Sequence, residues 1–186
     1  MIERVLADYR TAHGLGSFAL RYFNASGANP AGGIGELRDV ETHLIPRAMM
    51  ALQGHVPDFA VFGDDYDTPD GTCLRDFVHV TDLASAHLLS LAALRNGAAS
   101  TQYNLGNGRP TSVKTVIESV ERVVGRKVPY TVGPRRAGDP GVLFASSDRI
   151  RRELGWAPAF EDVDVIVGTA SRWREAHPHG YRKATA

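Results

Sequence analysis

Ile2, Val5, Leu6 and Tyr9 recur at helical spacing, with Glu3, Arg4, Asp8 and Arg10 between them. This predicts an amphipathic helix from Ile2 to about Ala12, stopped by His13-Gly14-Leu15-Gly16. No Ser, Thr, Asp or Asn stands ahead of Ile2 to cap it, so a preceding segment of the same fold is expected. The apolar run Ser17 to Phe23 reads as a buried strand, and Asn24 to Gly35, with four glycines and Pro30, as a loop. Thr42 to Gln53 has a helical pattern, and Pro46 sits near its first turn, where proline costs least. Strands follow at Phe59 to Phe62 and Leu74 to Val80, and then a helix from Asp82 to about Arg95 capped by Thr81. Tyr103-Asn104-Leu105 is a strand, Gly106-Asn107-Gly108 a tight turn, and Thr111 or Ser112 caps a helix ending at Gly125. Val128 to Val132 is strand-like, Ser147 or Asp148 opens a short helix closed by Gly155, and a last helix covers about Val163 to Glu175. Strands alternate with helices, the signature of an α/β protein.

Composition narrows the class. The 186 residues carry 21 Lys plus Arg and 21 Asp plus Glu, a formal net charge of zero, which lacks the footprint of a general nucleic-acid binder. Apolar residues at 43% and charged residues at 23% are globular proportions. Cys73 is the single cysteine, so no internal disulfide forms. No apolar run reaches membrane-spanning length, and the N-terminus has no signal-peptide core; a cytoplasmic protein is expected.

Several constellations fall away on chemistry. Asp64, Asp65, Asp67 and Asp70 crowd one loop, but Asp70 and Pro69 break the ligand row of a calcium loop, which leaves a solvated turn. Gly106-Asn107-Gly108 lacks the third glycine and the acidic residue of a dinucleotide fingerprint, so a turn with no ligand is expected. Cys73 and His79 in one strand would lie about 20 Å apart, too far to couple. His177 and His179 lack a third metal ligand. Arginines carry more information. Arg75 interrupts an apolar strand, and Arg135 and Arg136 sit in a glycine loop, a pattern that suits a phosphate clamp. Salt bridges to acids such as Asp76 and Asp139 explain it equally well. No tyrosine is followed four positions later by lysine, and no glycine-rich phosphate loop follows an early strand. The residues thus offer an anion-binding surface without a hydride- or proton-transfer apparatus.

A series of blocks resembles the UDP-glucose (UDP-galactose) 4-epimerases, extended short-chain dehydrogenase/reductase enzymes. The blocks are Leu20-Arg21-Tyr22-Phe23-Asn24-Ala25-Ser26-Gly27-Ala28, Glu41-Thr42-His43-Leu44-Ile45-Pro46, Phe62 to Cys73, and Leu74-Arg75-Asp76-Phe77-Val78-His79-Val80 with Asp82-Leu83-Ala84. Tyr103 to Gly106, Arg135 to Pro140, Leu154-Gly155-Trp156 and His177 to Tyr181 complete it in family order. The resemblance implies an NAD(P)-binding Rossmann-type α/β fold with a smaller mixed α/β substrate domain, of which this chain is the C-terminal part. Residues 1–28 would belong to the Rossmann domain and 29–186 mainly to the UDP-sugar domain, with 72–95 packing back on the Rossmann sheet.

The resemblance also implies roles. NAD would be the cofactor, with Phe23 against its nicotinamide. Asn24, His43 and Leu44 would contact the nucleotide-sugar, UDP-glucose or UDP-galactose. Ala60, Val61 and Phe62 would hold the uracil, Arg75 and Arg136 the diphosphate, and Asp139 the ribose. Leu143 would line the pocket for the hexose C2 substituent, bulkier there than Cys or Ser and without the hydroxyl of Tyr. The first helix would help form a homodimer. Catalytic residues are not expected here, because the family's Tyr-x-x-x-Lys pair precedes Met1; the exposed side of Ser17 to Phe23 would then lack its sheet neighbours. A non-catalytic nucleotide-sugar-binding or interaction module is the alternative, as is a related nucleotide-sugar epimerase or dehydratase.

Overall fold

The computed structural model describes residues 1–178, 180 and 181; His179, half of the histidine pair noted above, lies outside the described residues. Helix α1 (Ile2–His13) begins with no side-chain cap and ends on Gly14. Strands β1 (Phe18–Tyr22) and β2 (Asn24–Ser26) follow, then α2 (Leu44–Leu52) and β3 (Ala60–Phe62). The next elements are β4 (Leu74–Arg75), β5 (Phe77–His79), α3 (Val80–Arg95) and β6 (Thr101–Leu105). The chain continues through β7 (Thr111–Ser112), α4 (Val113–Val124), β8 (Thr131–Gly133), β9 (Val142–Leu143), α5 (Asp148–Leu154) and α6 (Val163–Ala176).

Four small sheets form. β1 pairs in parallel with β6, β2 with β5, and β3 with β8; β4 lies between antiparallel β7 and parallel β9. Successive side chains of β5 point to opposite faces and so enter two cores. Phe77 joins the larger one, with Ile45 and Met49 of α2, Val116, Ile117 and Val120 of α4, and Ile166 and Val167 of α6. Val78 joins the second, with Leu83, Tyr103, Leu105, Ile150 and Trp156. Each such aliphatic side chain contributes about 1.5–3 kcal/mol by leaving water. The α4 stripe follows the 3.6-residue repeat, Ser112 accepts the Thr115 N–H as its cap, and Gly125 ends it, as expected from the sequence.

Five expectations need correction. The run Leu74 to Val80 is two strands in different sheets, not one. Asp76 breaks it: fully buried, its carboxylate turns away to accept the backbone N–H of Asn107 at 2.9 Å and of Gly108 at 3.4 Å. The cap of α3 is His79, whose Nδ1 accepts the Thr81 N–H at 3.1 Å, rather than Thr81 itself. The loop after Phe23 opens with a strand, β2, because β5 gives it a parallel partner. The strand-like stretch at 128–132 pairs only over Thr131–Gly133. Strand β1 is half-buried at Phe18 to Leu20 and exposed at Arg21 and Tyr22, since only β6 pairs with it among the described residues. Helix α1 buries no residue at all, and its apolar face leaves Ile2 76% and Tyr9 51% exposed. No described helix is long and apolar enough to cross a membrane.

Candidate functional site

Parallel pairing builds the site. β3 runs alongside β8, so Phe62 lies opposite Gly133 and the segment 134–141 departs beside the carboxyl end of β3. The same segment ends on β9, which runs alongside β4, and the Leu74 N–H meets the Gly141 carbonyl at 2.8 Å. A loop tethered at both ends by strands carrying Phe62 and Arg75 must bring its own side chains to them. Arg136 lies over the Phe62 ring, 4.0 Å from guanidinium carbon to centroid, and Asp139 forms an ion pair with Arg75. Carboxyl ends of parallel strands are where α/β folds place ligands.

A cavity of about 730 Å³ opens there. Phe23, Asn24, His43, Leu44, Ala60, Val61, Phe62, Arg75, Arg136 and Asp139 all line it. The structure therefore brings together ten of the eleven residues named from the sequence. Leu143 is the exception: it sits beside Arg75 on β9, 44% exposed, and is not among the lining residues.

The polar groups of the wall are held in place. Asn24 donates both its backbone N–H, at 3.0 Å, and its side-chain amide, at 2.9 Å, to the Asp76 carbonyl. Burial pushes the Asp76 carboxyl above the usual carboxylate range, against the pull of the Asn107 and Gly108 N–H groups. A Cβ on Gly106 would lie 2.3 Å from Asp76 Oδ2 and 2.6 Å from the Ala145 carbonyl, so only glycine admits the carboxylate. The glycine turn is thus an anion cradle filled by the chain's own aspartate.

His43 stands ahead of α2 with its Nδ1 2.6 Å from Glu36 Oε1. Glu41 Oε1 accepts the backbone N–H groups of Thr42 at 2.9 Å and of His43 at 2.8 Å, fixing the turn that presents His43. Glu36, Glu41 and His43 are the one described group whose ligating atoms lie close enough to share a metal. Glu36 is already paired with Arg38, and His43 Nδ1 stands beside it with no hydrogen bond among the described residues, which describes a polar cluster around one ion pair. In the acidic loop, Asp65 pairs with Arg135, which holds its carboxyl below the usual range, and Asp70 accepts from Thr72 and Ser112. That loop is a surface turn, as expected.

Sequence reasoning gave no role to Glu36, Trp173 or Arg174, all of which line the cavity, nor to Glu41. Trp173 and Arg174 lie on α6, whose amphipathic pattern marks a helix without saying what its last turn faces. The Glu41 and His43 pair belongs to one of the matching blocks, and that was the available signal.

The NAD dependent epimerase/dehydratase family matches residues 1–106. This chain belongs to that family. It is 51% identical over 176 residues to the UDP-glucose 4-epimerase of Azospirillum brasilense, an alignment covering 95% of this chain and 51% of that protein. It superimposes on a UDP-glucose 4-epimerase crystal structure with a TM-score of 0.94 at 47% identity, covering 98% of this chain and 55% of that one. A Bifidobacterium longum UDP-glucose 4-epimerase, solved with NAD+ and UDP, superimposes at a TM-score of 0.88 and 35% identity, covering 96% of this chain and 53% of that one. The chain spans about half the length of the relatives it matches. The α/β fold expected from the sequence is the fold of these epimerases.

Proposed function

We propose that this chain is the half of a UDP-glucose 4-epimerase that holds the UDP-sugar, in the interconversion of UDP-glucose and UDP-galactose. The observation that carries this reading is the single cavity in which Phe62, Arg75, Arg136 and Asp139 converge. Phe62 offers an apolar face to a uracil ring, and Arg136 beside it offers a cation to a diphosphate. Asp139 orients Arg75 and keeps an acceptor free for a ribose hydroxyl. Asn24 and His43 then supply short-range polar contacts to the diphosphate and hexose. Binding energy gathered at the UDP moiety holds the sugar's C4 for reaction without acting on it.

Reversible hydride acceptance from the sugar's C4 is the chemistry that NAD would supply if bound, and Phe23 is the residue of this chain that would lie against it. This chain's contribution to the cofactor is narrow. Phe23 gives an apolar wall at the end of β1, whereas the glycine turn at 106–108 is filled by Asp76 and offers a dinucleotide phosphate nothing. With no Tyr-x-x-x-Lys pair among its residues, the chain by itself is proposed to bind UDP-sugars without turning them over. Residues 1–28 are read as part of the Rossmann-type domain and 29–186 mainly as the UDP-sugar domain. The packing of α3 against β1, β2 and β5 supports the return of 72–95 to the Rossmann sheet. The exposed Ile2, Val5 and Tyr9 face of α1 suits a homodimer contact, and a cytoplasmic setting suits a lone, buried Cys73.

Calorimetric titration of the folded chain with UDP tests the reading. Binding is expected, weakened at least about tenfold by Arg136→Ala. A folded chain that binds no UDP, or binds it equally without Arg136, overturns the assignment; epimerase turnover by the chain alone overturns its inactivity.

A further inference from the structure

Two adjacent arginines of the 134–141 loop lie on aromatic rings, and only one of them is pinned. Arg135 stands 4.3 Å from the Tyr66 ring centroid, donates its Nε–H to Asp65 Oδ1 at 2.7 Å and donates a second N–H to the Asp65 carbonyl. Arg136 stands 4.0 Å from the Phe62 centroid, and among the described residues its guanidinium enters no hydrogen bond or ion pair. Asp139, the one carboxylate of that loop, is already paired with Arg75.

The ring beneath Arg136 is the one read as the support of the base. Phe62 lines the cavity and is 38% exposed. Strand β8 packs against it, since a Cβ on Gly133 would stand 3.6 Å from Phe62 Cδ1 and 3.8 Å from Cε1. A guanidinium and a base both stack on a π surface, so the two compete for the ring face that Arg136 covers. A diphosphate competes for the guanidinium instead. Its charge-assisted hydrogen bonds are stronger than a cation–π contact on a partly exposed ring.

We propose that Arg136 is a specificity-determining residue whose guanidinium covers the Phe62 face and leaves it for a diphosphate, so that the cavity favours a base that arrives with its diphosphate over the bare nucleoside. The proposal rests on the UDP-sugar reading and adds to it a selection by the 134–141 loop. A bare nucleoside must displace the guanidinium and offers it no anion, so its apparent affinity falls by the fraction of chains whose ring is free. A nucleoside diphosphate displaces the guanidinium and binds it with the same molecule.

One substitution should therefore move two ligands in opposite directions. In ligand-observed titrations, Arg136→Ala is expected to weaken UDP at least about tenfold and to bind uridine about threefold more tightly than the parent, the worth of one exposed cation–π contact. Saturating inorganic pyrophosphate is expected to tighten uridine about threefold on the parent and to leave it unchanged on Arg136→Ala, because the coupling between the two ligands runs through that guanidinium. Where the parent binds UDP, no gain of uridine affinity in Arg136→Ala overturns the proposal. So does a parent on which pyrophosphate leaves uridine unchanged or weakens it, a result that needs no variant to fold. Pyrophosphate coupling that survives in Arg136→Ala assigns the effect to another group and also overturns it. A folded parent that binds no UDP overturns the functional reading, and this inference with it.

Discussion

His79 closes β5 and is fully buried, its ring stacked on Phe160 with 4.2 Å between centroids. Both ring nitrogens are engaged. Nδ1 accepts the Thr81 N–H at 3.1 Å, so Nε2 carries the proton and donates to Thr169 Oγ1 at 3.0 Å. Thr169 Oγ1 in turn accepts the Ala28 N–H at 3.1 Å, which ties the ring to the cavity wall at Gly27 and Ala28. A second proton would sit on Nδ1 facing the Thr81 N–H, and burial already pushes the pKa below its usual value, with Asp82 opposing. The folded chain thus binds fewer protons than the unfolded one between the two pKa values. Stability from this group is complete above about pH 6.5 and is lost as pH falls toward the folded value.

His79→Phe keeps the stacking and removes both hydrogen bonds and the titration. The two bonds are worth about 1 kcal/mol each. The longer ring adds strain against Gly27, since a Cβ there would already stand 2.5 Å from His79 Cδ2. A cost of about 3–4 kcal/mol near neutrality follows. Urea unfolding of both proteins from about pH 8 to about pH 5 provides the assay. The gap between them should narrow in acid, by no more than about 1.4 kcal/mol per pH unit for one group. Parallel curves, or a gap that widens in acid, would refute the argument that the ring is held neutral.

Gly106→Ala should cost about 2–4 kcal/mol in unfolding free energy, because the new methyl meets both a buried carboxylate and the Ala145 carbonyl; an unchanged melt would contradict the packing at Asp76. Arg75→Ala should weaken UDP binding about thirtyfold, since it also leaves Asp139 uncompensated in the cavity, and a loss under about threefold would argue against the clamp. Ile2→Asp together with Val5→Asp should leave unfolding free energy within about 0.5 kcal/mol, because α1 buries nothing, while abolishing any self-association seen by sedimentation.

Periodic patterns determined most of the helices. The Val113–Val124 stripe with Ser112 before it and Gly125 after it is a local message, readable without the rest of the chain. The ordered blocks around Asn24, His43, Phe62, Arg75 and Arg136 likewise marked the family and ten residues that the cavity unites. Pairing was not legible. The run Leu74 to Val80 looks continuous because apolar alternation records burial, whereas the break depends on where the Asp76 carboxylate finds N–H donors about thirty residues onward, at Asn107 and Gly108. The arginines show the same division. Sequence left Arg75 balanced between a phosphate clamp and a salt bridge, and only the joint tethering of 134–141 by β8 and β9 placed Asp139 against it. Local propensity and alternation are written in neighbouring residues; charge partnership across elements exists only once the elements have packed.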